Sequence, residues 1–378
     1  MLHFTSEEFA RRKAALHAEM AVRGLDAMLL FAPESQFWLT GFDTFGYCFF
    51  QCLVVTPTGA HLLTRSADLR QAEITSTLTD IRVWRDGTAP EDSLAEMLAD
   101  LGLSSGRMGI ETDTHGLTAR NYQRVIAVTA AFDLVEASDL VPGLRLTKSA
   151  EEIAYVREAA RLGDAAFEAA LPLMKPGGDE AAILAAMQGA VFAGGGDYPG
   201  NEFIIGSGAH ALMCRYATGR RRLDANDQLT LEWAGAYRHY HAALMRTVVI
   251  GEPRPDHARY HAAAREALLA CEARLIPGTR LQDVFAAHAE VLDAHGLAAH
   301  RLNACGYALG ARFSPSWMEP QMFHAGGTDE IGADQVYFLH MIIMDSDTGT
   351  AMSLGRTSLV TGAGAEPLSA LPLEMTVR

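Results

Sequence analysis

The stretch Leu231-Glu-Trp-Ala-Gly-Ala-Tyr-Arg-His-Tyr-His-Ala-Ala-Leu-Met-Arg-Thr-Val-Val-Ile-Gly251 constrains this chain more than any other. Its middle is polar, from Tyr237 to His241, and the apolar segments Leu229–Leu231 and Thr247–Ile250 flank it. Two strands with a turn of Gly, Arg and His between them read as a β-hairpin. One carboxylate, Glu232, stands in the first strand among Leu, Trp and Ala. A carboxylate in such company is either a satisfied structural group or one with a raised pKa and a chemical task.

A chain of 378 residues exceeds what one core usually holds, so two domains are expected. A formal charge of -15 leaves no basic stripe to neutralise phosphates, and nucleic acid is not an expected partner. No apolar run approaches the ~20 residues that span a bilayer. The segment Met1–Glu8 has neither a basic nor an apolar export region, so a cytoplasmic setting away from membranes is expected. The cysteines Cys48, Cys52, Cys214, Cys271 and Cys305 show no zinc-like pairs and no disulfide pattern.

Thr5-x-x-Glu8 is a capping-box pattern opening a helix that stops at Gly24. A strand at Asp26–Phe31 follows, then an aromatic, glycine-rich loop from Trp38 to Tyr47. Further strands at Leu53–Thr56 and His61–Leu63, with helices at about 91–102 and 117–130, indicate a small α/β domain. Ser149-x-x-Glu152 is a second capping box, with Ile153, Val156 and Ala160 at helical spacing behind it. Helices at about 179–194 and 256–275, and one capped by Thr279-x-x-Gln282, surround the hairpin. Two helices and a hairpin, then two helices and more strands, suggest an internally duplicated α+β domain. The glycines of 194–200 and 206–208 lack the GxGxxG and GxxxxGK[ST] frames of nucleotide loops.

Read alone, several residues suit a small charged substrate. His340, in the apolar run Phe338–Ile342, is a candidate proton carrier beside a reacting carboxylate, or a core histidine. His239 and His241 are two apart, so on a strand they share a face. Arg215 suits a bidentate grip on a carboxylate, unless it belongs to a solvated basic turn with Arg220–Arg222. Trp38 and Trp317, placed in loops, suit cation–π contact with a cationic or zwitterionic ligand.

The order of elements, the junction Arg145-x-x-Lys148-Ser149-x-x-Glu152-Ile153, Tyr240, Arg246-Thr247, Pro277-Gly278 and Gly306-x-x-x-Gly310 resemble the pita-bread family of aminopeptidase P, prolidase and creatinase. The resemblance implies an α+β fold: a small N-terminal α/β creatinase-like domain over 1–144, then a pseudo-twofold pita-bread catalytic domain over 145–378. It also implies a homodimer, in which the Trp38–Tyr47 segment reaches the partner's site.

Metallopeptidases of this family hold two metal ions with two Asp, one His and two Glu. The matching positions here read Glu232, Ala243, Tyr307, His340 and Gly355-Arg356. Alanine, tyrosine and glycine cannot rebuild such a site, so neither metal nor cofactor is expected. Leu231-Glu-Trp-Ala-Gly-x-x-x-x-Tyr-His-Ala-Ala-Leu-x-Arg-Thr and the downstream Phe313-Ser-Pro-Ser-Trp317 look like the metal-free ectoine hydrolase branch. That resemblance implies a hydrolase cutting a non-peptide C–N bond in a small zwitterion. It places the catalytic role on Glu232, as nucleophile or base, and the residues read alone make His340 and His241 the expected proton shuttles. Arg215, Tyr307, Trp38, Trp317, His239 and Tyr240 are the expected substrate-binding residues. A lyase using Glu232 as base, a solute binder without activity and a metal-dependent Xaa-Pro peptidase are the rivals.

Overall fold

The computed structural model describes residues 2–378. Its contacts divide the chain into one unit that ends at Arg145 and a second spanning Leu146–Arg378. The first unit contains helices α1 (Ser6–Arg23), α2 (Pro33–Thr40), α3 (Leu69–Thr75), α4 (Pro90–Asp100) and α5 (Ala119–Val128). Helix α6 (Leu140–Leu146) runs up to the junction. Its strands are β1 (Ala27–Leu30), β2 (Cys52–Thr56), β3 (Gly59–Arg65), β4 (Asp80–Trp84), β5 (Gly106–Ile110) and β6 (Phe132–Glu136). They form one mixed sheet in the order β4-β3-β2-β1-β5-β6. The Thr5 side chain accepts from the Glu8 amide, and Gly24 ends α1 at φ 64, a left-handed turn that glycine adopts without strain.

Trp38 corrects an expectation. It lies in helix α2, which Pro33 opens and Gly41 closes at φ 83, and not in a loop. The indole is 1% exposed in the core of its unit, with the Arg12 guanidinium carbon 5.2 Å from its ring. A side chain so enclosed packs a core and offers no face to a ligand.

The second unit repeats one pattern twice. Helices α7 (Ala150–Ala170) and α8 (Glu180–Ala193) precede β7 (Ile204–Ser207), β8 (Asp227–Tyr237) and β9 (Tyr240–Ile250). Helices α9 (Pro255–Glu272) and α10 (Leu281–Ala294) precede β10 (Ala304–Leu309), β11 (Met318–His324), β12 (Val336–Asp345) and β13 (Thr350–Thr361). Short strands β14 (Gly364–Pro367) and β15 (Thr376–Val377) finish the unit, and the main path of the sheet runs β11-β10-β12-β13-β9-β8-β7. The first-half order β9-β8-β7 mirrors β13-β12-β10, which is the pseudo-twofold arrangement of a pita-bread fold.

Helix α7 opens with a complete capping box between Ser149 and Glu152. Helix α10 does not use Thr279. The amides of Leu281 and Gln282 bond instead to the carbonyls of Asp329 and Gly327, so the tertiary contact replaces the side-chain cap.

Alternation along β8 sorts the hairpin into two faces. Trp233 points to α7, stacking on Phe167 at 5.3 Å and donating its indole N–H to the Gly163 carbonyl. Gly235 lets helix and sheet touch, since a Cβ there would lie 1.8 Å from the Ala159 carbonyl oxygen. Glu232 therefore faces the other way, toward the concave side.

Candidate active site

Direct strand pairing places Ile204, Glu232, Met245, Gly355 and His340 in one lateral row across β7, β8, β9, β13 and β12. Paired residues share a face, so Glu232 and His340 point to the same side, three strand spacings or roughly 14 Å apart at the backbone. Between them, at the concave side, is a cavity of about 430 Å3. Glu232, His340, Tyr307, Trp317 and Arg215 all line it.

Glu232 is 8% exposed. Burial pushes its carboxyl pKa up to about 7, against the lowering effects of the Tyr307 hydroxyl and the Arg215 charge. Tyr307 donates to Glu232 Oε1 at 3.2 Å, and Trp317 Nε1 donates to the Tyr307 hydroxyl at 2.8 Å. The Trp317 amide in turn donates to Asn201 Oδ1 at 3.2 Å. Burial beside Glu232 carries the Tyr307 hydroxyl well above its usual range, so this phenol stays a donor.

His340 is buried, and burial brings its imidazole pKa down to about 3. Its Nδ1 has no hydrogen-bond partner among the described residues. A neutral ring with one unused nitrogen on a cavity wall can accept or relay a proton from a bound molecule. Arg215 is exposed, and its charge acts on Glu232, Tyr307, His340 and Cys214 together.

The structure separates three other expected residues from the cavity. His239 has φ 65 and, with Arg238 at φ 50, makes the two-residue turn of the hairpin, so it shares no strand face with His241. Its ring stacks on Phe313 at 3.9 Å. Tyr240 lies on the α7 side of β9, where its hydroxyl donates to Glu152 Oε1 at 2.7 Å. His241 is on the concave face but fully buried, four residues and so about 13 Å along the strand from Met245. Its Nε2 accepts the Gly200 amide at 2.8 Å, and burial brings its pKa down to about 3. A ring engaged in this way is no proton shuttle.

The structure adds Asn201 and Glu202, from the segment ahead of β7, together with Cys214, Tyr216, Met318 and Met322. Nothing local marks Asn201 or Glu202 as cavity residues. Only the fold of the segment 199–202 against Trp317 brings them in.

Residues 154–362 match the metallopeptidase family M24, and residues 12–147 match the creatinase/prolidase N-terminal domain. The chain belongs to family M24. Ectoine hydrolase of Halomonas elongata is 28% identical over 400 residues, spanning 100% of this M24 chain and 99% of that protein. A probable dipeptidase, PepE of Mycobacterium tuberculosis, is 26% identical over 312 residues, 81% of each chain. Among solved structures, prolidase from Thermococcus sibiricus superposes with a TM-score of 0.90 at 17% identity, covering 99% of this chain and 100% of that one. That likeness concerns the fold.

The family's name implies metal ions, and the donors of this M24 chain do not fit them. Ala243 ends in a methyl group, and Gly355 has no side chain. A Cβ at 355 would stand 2.7 Å from the Leu339 carbonyl oxygen and 2.9 Å from the Phe338 ring, so that ring fills the place a ligand would need. Arg356 points to the opposite face, in a bidentate pair with Glu272 at 2.7 and 2.6 Å. Among the described residues, the one group of three or more possible donors close enough to share an ion is His300, Asp345 and Asp347, and none of them lines the cavity. Glu232 and His340 alone make too small a set for a dinuclear centre.

Proposed function

We propose that this M24 chain is a metal-independent hydrolase of a non-peptide C–N bond in a small zwitterion, with an ectoine-like cyclic amidine as the first substrate to try. The observation that carries the reading is Glu232: a buried carboxylate on the cavity wall with a pKa of about 7, held by Tyr307 and not by a metal ligand set. A base is most effective when its pKa lies near the working pH, because it is then both ionised and able to take a proton.

Arg215 binds the carboxylate of the substrate, and the apolar wall of Met318, Met322 and Ile342 packs against its carbon skeleton. Glu202, exposed at the cavity, faces the cationic end. Glu232, ionised, takes a proton from water as the oxygen bonds to the amidine carbon, or attacks that carbon directly. On the base route the C–N bond then breaks as protonated Glu232 returns its proton to the leaving nitrogen. On the direct route a water gives that proton through the neutral His340 ring, and the hydroxide so formed attacks the carbon and releases Glu232. The 28% identity to ectoine hydrolase over the full chain supports this choice of substrate.

The test is to incubate pure protein with ectoine, related cyclic amidines and an Xaa-Pro dipeptide, each with and without EDTA, and to weigh the products. Hydrolysis of an amidine adds the mass of one water and persists in EDTA. A product without that added mass identifies a lyase, and dipeptide cleavage abolished by EDTA would overturn the proposal in favour of a metallopeptidase.

A further inference from the structure

His241 is the most enclosed imidazole near the cavity, and its surroundings give it a definite task. Its Nε2 accepts the Gly200 amide at 2.8 Å, which requires that nitrogen to be unprotonated. Gly200 lies flat on the Ser316–Trp317 peptide: a Cβ there would stand 2.8 Å from both the Ser316 carbonyl carbon and the Trp317 nitrogen. The next residue, Asn201, accepts the Trp317 amide at 3.2 Å. Trp317 Nε1 then reaches the Tyr307 hydroxyl at 2.8 Å, and Tyr307 reaches Glu232 at 3.2 Å.

We infer that His241 is a positioning residue, which locks the segment 199–202 onto Trp317 and thereby aims the Tyr307 hydroxyl at Glu232. It touches no substrate. Its ring centroid is 6.3 Å from that of Trp317, and it does not line the cavity. The neighbouring charges, Arg312 and the His239 ring in the hairpin turn, both disfavour a second proton on it. Around the carboxylate itself stand Tyr307, Arg215 and Cys214, with His340 and Glu202 elsewhere on the cavity wall. Chained hydrogen bonds polarise one another, so fixing Trp317 strengthens the Tyr307 donor as well as placing it. The inference deepens the proposed hydrolase reading and rests on it only for the effect on turnover.

The experiment compares His241→Leu, which loses the acceptor, with His241→Gln, whose side-chain oxygen can take the Gly200 amide. The first readout needs no substrate. The indole N–H resonance of Trp317, assigned by its disappearance in Trp317→Phe, is followed in 1H–15N spectra of the full-length protein. His241→Leu should move that resonance and speed its exchange with solvent, while His241→Gln keeps it close to the parent. In turnover, His241→Leu should lower kcat about tenfold with KM changed less than about twofold, the pattern of a lost transition-state contact rather than lost binding. If His241→Leu does not fold, His241→Asn, whose shorter side chain does not reach the Gly200 amide, takes its place and should move the Trp317 resonance and lower kcat in the same way. An unmoved Trp317 resonance in folded His241→Leu would overturn the inference, whatever happens to turnover. A moved resonance in a protein without measurable turnover on any amidine would leave the positioning role standing and remove the hydrolase reading instead.

Discussion

Tyr307 donates its hydroxyl proton to Glu232 Oε1 at 3.2 Å, joining a residue of β10 to one of β8 across the concave face of the sheet. This bond favours the ionised carboxylate, whereas burial favours the neutral one, and the balance settles at about 7.

Replacing Glu232 with Gln should abolish turnover, by at least about a thousandfold if the carboxylate is base or nucleophile. It should also stabilise the protein at alkaline pH. The folded pKa of about 7 lies above the unfolded value near 4.5, so the folded state holds the extra proton between them. Stability from this group is therefore present at low pH and falls as pH rises from 4.5 through 7, by about 3 kcal/mol in all. Denaturant melts at pH 5 and pH 8 check this: Glu232→Gln should gain much more on the parent at pH 8 than at pH 5.

The rate should rise with pH through about 7 as Glu232 ionises. Removing the Tyr307 hydroxyl with Tyr307→Phe takes away a lowering influence and should move that limb upward. His340, held near 3, stays neutral from pH 5 to 9 and contributes no limb in that range. A pH–rate profile whose acid limb stays in place in Tyr307→Phe would refute the coupling.

Arg215→Met should raise KM for an anionic substrate by roughly tenfold or more, because a charge-assisted bond of about 1.5–3 kcal/mol is lost. The same change removes a cation that holds the Glu232 pKa down, so the acid limb should also shift upward. Steady-state kinetics across pH measure both effects at once.

Zinc, manganese, cobalt and iron should each be far below one equivalent in the pure protein, and EDTA should leave its rate unchanged. Restoring one ligand with Ala243→Asp should not create tight metal binding, because Gly355 and Tyr307 still offer no ligand and Phe338 covers the remaining place. Elemental analysis after dialysis against chelator tests both statements.

Gly355→Ala should destabilise the second unit by about 1–3 kcal/mol, an overpacking cost, since a Cβ would press on the Leu339 carbonyl and the Phe338 ring. Thermal melts of the variant measure it.

The sequence by itself missed α2, α3 and strands β4–β6, but it marked strands β1–β3, helices α1, α4, α5 and α7–α10, the Ser149 capping box, the hairpin, and the loss of ligand donors at Ala243 and Gly355. These are local or compositional properties: a capping pattern or a missing carboxylate reads the same in any context. It also singled out Glu232, because a charge in an apolar strand is unusual wherever it occurs. The three-dimensional arrangement decided the rest. Trp38 and Trp317 look alike in the sequence, yet one packs a core and the other bonds Tyr307. Tyr240 and His241 are adjacent, but strand alternation sends one to α7 and the other under Gly200. Asn201 and Glu202 entered the cavity through a segment no motif marks. A side chain's type fixes which bonds it can make; only the packing of distant strands fixes which partner stands within reach.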